Sequence, residues 1–472
     1  MNSFINNSDI ESEKIKFKER FSFGLGDYGT NLTYTLMVTF LAYFYTEVVG
    51  VSAILVGSLM FFARVIDGIL CVFVGIKIDK TNTKYGKARP WVLFTAIPFG
   101  LSAFLMSTIP EASDNVKIWY VCITYLLANI LFTANNIAYG SLLALITRSL
   151  YERGVLSVFR NGLSTLGSLT VGVFTLPIVG YFGNTKVSWI ILFAIFGFFT
   201  AVCLIITGLN VRERIKPIKE DNDSNIKFEQ VLKAMLKNKY WIMIFFYLFI
   251  TFTSLTALST VSVYYSKYIL DDVYYMSYIS MAQYIPSLLT LLIIPFLLRH
   301  LGKRNLALFG LIVCCIACLI PLIDKQNALY IIISTVVRSI GFCGVGATMF
   351  AFLADTIDYG EWITKLRIQG ILFSAGTLGQ TLGMGMGTAS IGWILGAFGF
   401  ISGGDVQQTN EVLSVIEFLF IYFPLILALI NIAILCFYKL ESIYSEVERD
   451  LSNGKFKSEE ILNFLTFKFT IR

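Results

Sequence analysis

The sequence predicts an all-α membrane protein in which twelve transmembrane helices form two six-helix bundles. Three observations lead to this fold class. Of the 472 residues, 56% are hydrophobic and 14% are charged, whereas a soluble domain has about 25% charged residues. Apolar stretches of the roughly 20 residues needed to cross a bilayer core recur along the chain. One long polar segment near the middle divides these stretches into two groups.

The candidate spans number six on each side of that polar segment. We place the first six at 28–48, 53–76, 91–109, 118–146, 155–181 and 188–210. The second six lie at 240–265, 274–298, 305–323, 328–354, 370–399 and 413–438. The predicted organisation is therefore a first bundle over 1–210, a linker over 211–239, a second bundle over 240–438 and a tail over 439–472. The halves share no obvious sequence identity, so a twofold repeat follows only from the rhythm of hydropathy.

Positive charges predict the orientation of the chain, because Lys and Arg accumulate in cytoplasmic loops. If both termini are cytoplasmic, 30 of the 37 basic residues fall in inside segments and four in outside loops. We therefore expect a multi-pass protein of the cell membrane with both termini in the cytoplasm and the lipid bilayer as its surroundings. The charges cluster between spans, which argues against a nucleic-acid partner despite a net charge of +6. The oligomeric state stays open, and a monomer is plausible.

The composition also argues against an enzyme. His300 is the one histidine, so histidine-based catalysis or a histidine-rich metal site is not expected. All eight cysteines fall in apolar segments, where free Cys behaves as a small hydrophobe, and they do not form the paired CxxC motifs of a zinc site. We expect no cofactor and no metal site, and a coupling cation would be the only ion.

Arg64 and Asp67 place two charges inside the second predicted span. A charge at the centre of a bilayer costs roughly 2.5–3.5 kcal/mol on insertion scales, so each needs a reason. The two residues are three apart and can neutralise one another on one helix face. The pair is either a structural ion pair or a coupling-ion site in which Asp67 exchanges a small cation. A single carboxylate is a poor cage for sodium, so a proton fits better.

Three further charges lie in predicted spans. Arg160, in the fifth span, either extends to the lipid headgroups or binds a substrate. Arg338, deep in the tenth span, is expected to pair with an acidic partner that the sequence does not identify. Glu417, in the twelfth span, is expected at the membrane interface.

Polar residues form stripes in three spans. Asp27, Asn31 and Tyr34 recur at i, i+4 and i+7 in the first span and share one helix face. The fourth span carries Thr133 and Asn136 among other polar residues, and the glycine-rich eleventh carries Gln380 and Thr381. The alternatives are hydrogen bonds and close packing between helices, or a hydrated cavity that binds a polyol through amides, hydroxyls and aromatic faces.

Several motifs resemble one known family. The segment from Gly75 to Trp91 reads G-x-x-x-D-x-T-x-T-x-Y-G-K-x-R-P-W, and further matching stretches lie at 24–31, 44–50, 64–68, 136–142 and 355–362. These motifs resemble the glycoside–pentoside–hexuronide cation symporters of the major facilitator superfamily. The resemblance implies a twelve-helix, alternating-access carrier of sugars, glycosides or uronides that is driven by protons or sodium. It covers about residues 20–438.

The resemblance also implies roles for particular residues. The predicted coupling-ion residues are Asp67 and Thr133. The predicted substrate-binding residues are Asn31, Tyr34, Arg64, Asn136, Arg160, Gln380 and Thr381. The predicted gating loops carry Asp79, Arg89, Asp355, Asp358 and Glu361, which would latch the outward-open state.

This chain departs from the family pattern at the ion site and in the eleventh span. Cys71 stands where members commonly carry a second aspartate, and Thr381 stands where many carry lysine. Proton coupling or simple facilitation is therefore favoured over sodium. Two other hypotheses stay open, namely a carrier of another polar solute or an amphipathic lipid with this fold, and a non-transporting membrane sensor.

Overall fold

The computed structural model describes residues 15–453 and 456, apart from 82, 148, 215–234, 365–368 and 405. The regular structure of this part of the chain is helical, with an isolated β-bridge between Thr83 and Gly86. Most of the predicted linker, and the predicted tail beyond 456, lie outside the described residues.

The first half contains six long helices. Helix α1 begins with Phe17–Thr35 and continues through Leu36–Phe40, Leu41–Tyr43 and Phe44–Val48. The segments Leu36–Phe40 and Phe44–Val48 are π-helical. The helices that follow are α2 (Ala53–Lys80), α3 (Arg89–Ser107), α4 (Asp114–Ile146), α5 (Leu150–Tyr181) and α6 (Lys186–Asn210).

The second half repeats this count and adds a short final helix. Helix α7 is Lys239–Tyr268, and α8 is Tyr275–Leu291 followed by Ile294–Leu301 after a bend of 62°. Pro295 opens the second part of α8, and proline is a usual cause of such kinks. The helices that follow are α9 (Lys303–Leu319), α10 (Ala328–Thr364), α11 (Gln369–Ala397), α12 (Asn410–Glu417, Phe418–Tyr422 and Phe423–Phe437) and α13 (Leu440–Ser452).

Not every one of these helices is apolar enough to be recognised as a membrane span. Nine of the described helices are long and apolar enough to cross a membrane, and the bent α8 makes ten if its two parts form one span. Helices α1 and α11 are outside this set. Polar residues such as Glu19, Arg20, Asp27 and Asn31 lower the hydropathy of α1. Twelve helical segments are consistent with twelve spans, but that count stays a prediction.

Helices pack against one another within each half, and two further pairs of helices join the halves. In the first half α1 packs on α5 and α6, while α3 packs on α4 and α6. In the second, α7 packs on α11 and α12, and α10 packs on α8 and α9. Contacts of α2 with α11 and of α5 with α8 join the halves. A Cβ on Gly57 of α2 would lie 2.9 Å from the Ala389 carbonyl oxygen of α11, so a small residue is needed at that crossing.

Matching polar caps reveal a repeat between the halves. In the first half, Glu213 accepts hydrogen bonds from the backbone N–H groups of Lys87, Ala88 and Arg89 at the start of α3, at 2.7–2.9 Å. The Arg89 guanidinium donates to carbonyl oxygens at the end of α6. A carboxylate suits a helix N-terminus and a cation suits a C-terminus.

The second half has the same two caps in the same places. Glu441 accepts hydrogen bonds from the N–H groups of Lys303 and Arg304 at the start of α9, at 3.1 and 3.2 Å. Arg304 donates to the carbonyl oxygens of Leu435 and Cys436 at the end of α12, both at 2.9 Å. Helices α3 and α6 therefore correspond to α9 and α12, although the sequences of the halves share no obvious identity.

Candidate functional site

The two halves are joined at one end of the helices. We call the end at which α1 begins and α12 ends the terminal face. The end at which the halves are joined is called the opposite face. Glu47, which is 3% exposed, forms an ion pair with Lys267 of α7 and accepts a hydrogen bond of 2.8 Å from the Tyr268 hydroxyl. The hydroxyls of Thr46 and Tyr264 lie 2.8 Å apart. Charge-assisted hydrogen bonds are the stronger kind, so this face is closed by a strong contact between the halves.

Two ion pairs between described residues at the terminal face each lie within one half. Arg20 of α1 pairs with Glu152 of α5 at 2.8 Å. Lys303 of α9 pairs with Asp355 of α10 at 2.5 Å. These pairs stabilise each bundle without joining it to the other, in contrast to the contacts at the opposite face.

One polar cluster of the first half surrounds Asp67. The Arg64 and Asp67 side chains are only 4% and 5% exposed, and their nearest N and O atoms lie 3.7 Å apart. The Thr133 hydroxyl of α4 donates a hydrogen bond to Asp67 Oδ1. The Arg64 guanidinium lies 5.6 Å from the centre of the Tyr34 ring, which stacks on Phe132. Three helices therefore bring a buried carboxylate, its cation and a hydroxyl together.

A second polar cluster lies between α1 and α5. Arg160 Nε donates a hydrogen bond of 3.3 Å to Asp27 Oδ2, and its guanidinium lies 5.1 Å from the centre of the Tyr139 ring. The Asn31 amide donates to the Ser164 hydroxyl at 2.8 Å. Arg160 is thus directed into the bundle towards Asp27 rather than towards lipid headgroups.

The eleventh helix approaches the first cluster from the second half. The Tyr34 hydroxyl donates a hydrogen bond of 3.0 Å to Met384 Sδ of α11. Gln380 and Thr381 are half-buried and precede Met384 by four and three residues. Residues three or four apart share a helix face, so both lie on the side of α11 that faces α1.

Asn136 has an exposed side chain. Helix periodicity indicates that this side chain lies on the inner face of α4. It lies nine residues, or about 180° around the helix, from Leu127, which is exposed on the outer surface of α4. Asn136 also follows Asn129, which is fully buried, by seven residues and so shares its face. Asn136 is therefore an exposed polar side chain on the face of α4 opposite Leu127.

A cavity of about 260 Å³ lies among five helices of the second half and one helix of the first. Helices α5, α7, α8, α9, α10 and α12 contribute to its wall. Its polar lining is rich in hydroxyl and amide groups, from Ser164, Thr165, Ser168, Thr251, Ser254, Ser262, Gln283, Tyr284, Ser287, Thr335, Arg338, Ser339 and Asn431. Ser164 is also the hydrogen-bond partner of Asn31, so this cavity adjoins the second cluster of the first half.

The expectation of an acidic partner for Arg338 was wrong for the described part of the chain. Arg338 donates a hydrogen bond of 3.2 Å to the Ser334 hydroxyl, and its guanidinium lies 5.1 Å from the centre of the Phe420 ring. The energetic cost of a charge in a membrane span predicts that another group compensates that charge. For Arg338, an aromatic ring and a hydroxyl supply part of the compensation in place of an acid.

Sequence reasoning missed most of the residues that line this cavity. One signal was available: Thr251, Ser254, Leu258 and Ser262 follow one another in α7 at spacings of three, four and four, and all four line the cavity. This is the helical period. The stripe is easily overlooked because the surrounding segment is rich in threonine, serine and aromatic residues throughout.

The predicted gating residues lie on helices rather than in loops, which corrects that prediction. Asp355, Asp358 and Glu361 belong to α10, which extends ten residues beyond its predicted end, and Arg89 begins α3. Backbone hydrogen bonding carries a helix past the membrane into water, whereas a hydropathy criterion ends it at the first charges.

Three of the predicted gating residues contact their own half. Asp355 pairs with Lys303, Asp358 accepts a hydrogen bond of 2.7 Å from the Tyr444 hydroxyl, and Arg89 caps α6. Glu361 is half-buried, and the side chain of Asp79, near the end of α2, lies outside the described part.

The surroundings of Asp67 fit a proton better than a metal cation. The described residues contain no group of three or more His, Cys, Asp or Glu side chains that could hold a metal ion. Asp67 shares its oxygens with Arg64 and Thr133, while a hard cation prefers several oxygen ligands.

Comparison with known proteins now assigns the family. The family described as MFS/sugar transport protein matches residues 22–442. The chain belongs to this family. It is therefore a multi-pass membrane transporter, and the predicted resemblance to sugar symporters of the major facilitator superfamily is confirmed.

Individual relatives agree with this assignment over nearly their whole length. The isoprimeverose transporter of Lactiplantibacillus pentosus is 34% identical over 94% of this chain and 93% of its own. The uncharacterized symporter YnaJ of Bacillus subtilis is 29% identical over 93% of this chain and 96% of its own. The inward-open xylose transporter XylE of E. coli has a TM-score of 0.57 at 14% identity, over 88% of this chain and 94% of that structure. Secondary sugar transport and the major facilitator fold are thus confirmed, and the coupling ion stays a prediction.

Proposed function

We propose that this protein carries a sugar or glycoside across the cell membrane by alternating access, coupled to protons. The substrate class rests on the family and on the name of the isoprimeverose transporter, which is 34% identical. The observation that carries the mechanism is the asymmetry between the two faces. Contacts between the halves close the opposite face, whereas the ion pairs Arg20–Glu152 and Lys303–Asp355 at the terminal face remain within single halves.

With both termini in the cytoplasm, this arrangement is an inward-open state. Positive-inside charge distribution supports that orientation. Asn136 is exposed on the inner face of α4, and Arg160 and Asn31 lie in the adjacent cluster. Their amide and guanidinium groups suit the hydroxyls of a sugar, which would then sit near the bilayer midplane between the two bundles.

Asp67 is the proposed proton-coupling residue. In its charged form it pairs with Arg64 and accepts the Thr133 hydrogen bond. A proton on Asp67 would remove the negative charge that holds Arg64, so that protonation changes how α2 contacts α1 and α4. This is a local electrostatic change that can bias a two-state element.

Rocking of the bundles would exchange one set of contacts for another. Opening the opposite face requires the Glu47–Lys267 pair to separate. We propose that Asp79, Arg89, Asp355, Asp358 and Glu361 then take part in contacts that close the terminal face. Each ligand shifts this equilibrium only by its difference in affinity for the two states.

The proposal is tested by uptake into proteoliposomes with proton and sodium gradients imposed separately. Asp67→Asn should abolish accumulation of a transported sugar driven by a proton gradient while leaving exchange of labelled for unlabelled sugar. Asp114→Asn, the same change at a side chain that is 93% exposed, is the matched control and should accumulate normally. Accumulation by Asp67→Asn at the wild-type level, or accumulation driven by sodium alone, would refute proton coupling at Asp67.

A further inference from the structure

Arg338 and Arg64 lie at matching depths in the two halves. Arg338 is ten residues from the start of α10, and Arg64 is eleven residues from the start of α2. At 1.5 Å per residue, both are roughly 15–17 Å from the opposite face, which is near the middle of a bilayer core of about 30 Å. Both guanidiniums therefore lie at the depth of the bilayer core, with Arg64 buried and Arg338 half-buried.

The two arginines differ in what compensates their charge. Arg64 has Asp67, and Arg160 of the same half has Asp27. Arg338 takes part in none of the ion pairs formed between described residues. Its Nε is buried and has no hydrogen-bond partner there, while one Nη donates to Ser334. A buried donor without a partner is costly, so this guanidinium has unused binding capacity.

The Arg338 side chain lines a cavity suited to a hydroxylated ligand. Arg338 is the charged residue among the described residues that line the 260 Å³ cavity, and neither Asp nor Glu is among them. Around it lie hydroxyls and amides, including those of Gln283, Tyr284 and Asn431. The volume is near the lower end of the roughly 300–1,000 Å³ that ligand pockets occupy.

The cavity adjoins the proposed substrate site. Ser164 and Ser168 of α5 line its wall, and both hydroxyls hydrogen-bond to the Asn31 side chain, at 2.8 and 3.5 Å. A ligand held at Asn31 and Arg160 would therefore have the Arg338 cavity beside it, on the side of the second half.

We propose that the Arg338 cavity is an anion-binding subsite, in which the free guanidinium N–H groups of Arg338 bind a carboxylate, sulfonate or similar oxyanion. This inference rests on the proposed function, because it places the subsite next to the sugar. The planar guanidinium offers paired N–H donors that match the two oxygens of such a group. The oxyanion comes either from the transported molecule itself or from an inorganic anion bound beside a neutral sugar.

Binding measurements on the purified full-length protein distinguish these sources. The probes are methyl β-D-glucuronide, methyl β-D-glucoside, and the glucoside with and without sulfate at constant ionic strength. Wild type should bind the glucuronide, or the glucoside in the presence of sulfate, more tightly than the glucoside alone. Arg338→Gln should lose this preference, with roughly a 10- to 100-fold weaker affinity for the anionic probe and an unchanged affinity for the glucoside alone.

Two further variants separate a binding role from a structural one. Arg299→Gln removes the same charge from an exposed position and should keep the preference for the anionic probe. Arg338→Lys keeps the charge but loses the planar pair of donors, so it should retain part of the preference.

The outcomes separate this inference from the proposed function. If wild type binds the glucoside and the glucuronide equally and sulfate has no effect, the anion subsite is refuted while sugar transport stands. The same holds if Arg338→Gln binds the glucoside normally and keeps the anion preference. If wild type binds neither sugar under any of these conditions, both the subsite and the proposed sugar site are refuted.

Discussion

The two halves of this transporter compensate the charge of an arginine within a predicted span differently. In the first half, Arg64 and Arg160 each have an aspartate within 4 Å, at 3.7 and 3.3 Å. In the second half, Arg338 has a serine hydroxyl and the ring of Phe420. The first arrangement is neutral as it stands and can change when a carboxylate takes up a proton. The second carries an uncompensated charge and is completed by an anion. We therefore expect the related bundles to have different roles, with proton coupling and sugar binding in the first half and recognition of an anion in the second.

Removing the acid of the first half should have the largest effect on stability. Asp67→Leu leaves Arg64 buried without a counter-charge and should lower the free energy of unfolding by about 3–5 kcal/mol. Arg338→Leu removes a charge that has no acid, so it should change this free energy by about 1 kcal/mol or less. Chemical denaturation of the purified protein in detergent measures both.

The double variant Arg64→Leu/Asp67→Leu is the control for that comparison, because it removes both charges and should recover most of the lost stability. If Arg338→Leu destabilised the protein as strongly as Asp67→Leu, the Arg338 guanidinium would be a structural element and the contrast between the halves would fail.

Giving the second half an acid should make it resemble the first. Ser334 already contacts the Arg338 guanidinium at 3.2 Å and lies one helical turn away on α10. Ser334→Asp should supply the missing counter-charge and weaken binding of methyl β-D-glucuronide by roughly tenfold. The control is Ser334→Asn, because asparagine has the shape of aspartate but adds no charge. Equal affinities in the two variants would argue against recognition of an anion by Arg338.

The smallest expected effects concern the caps that the halves share. Glu213 accepts three backbone hydrogen bonds at the start of α3, whereas Glu441 accepts two longer ones at the start of α9. Replacement by alanine should cost about 0.5–2 kcal/mol of unfolding free energy in each case, with the greater loss for Glu213. Thermal unfolding of Glu213→Ala and Glu441→Ala measures this order. A larger loss for Glu441 would mean that the two caps are not equivalent.

Much of the first-half site could be anticipated from residue spacing. The stripe of Asp27, Asn31 and Tyr34 and the pair of Arg64 with Asp67 depend on contacts along one helix, and periodicity predicts those. The partner of Arg160 could not be anticipated, because Asp27 lies 133 residues away on another helix. The roles proposed for these residues stay predictions.

The prediction for Arg338 failed for a related reason. The sequence indicates that a charge in an apolar span needs compensation, and the general expectation is an acid. What lies opposite a side chain depends on how α10 is rotated against α12, and here that rotation brings Phe420 into contact. The cavity beside Arg338 could not be predicted from the sequence either, because six helices contribute to its wall.

The sequence by itself determined that this is a helical membrane protein with two groups of spans, and which positions carry a charge in lipid. Hydrophobic length and helical period are local properties, so the order of residues contains them. The tertiary structure alone decided which charges are neutralised, which face is closed and where the halves repeat one another. Those features depend on contacts between residues far apart in the chain, whose geometry follows from the packing of whole helices.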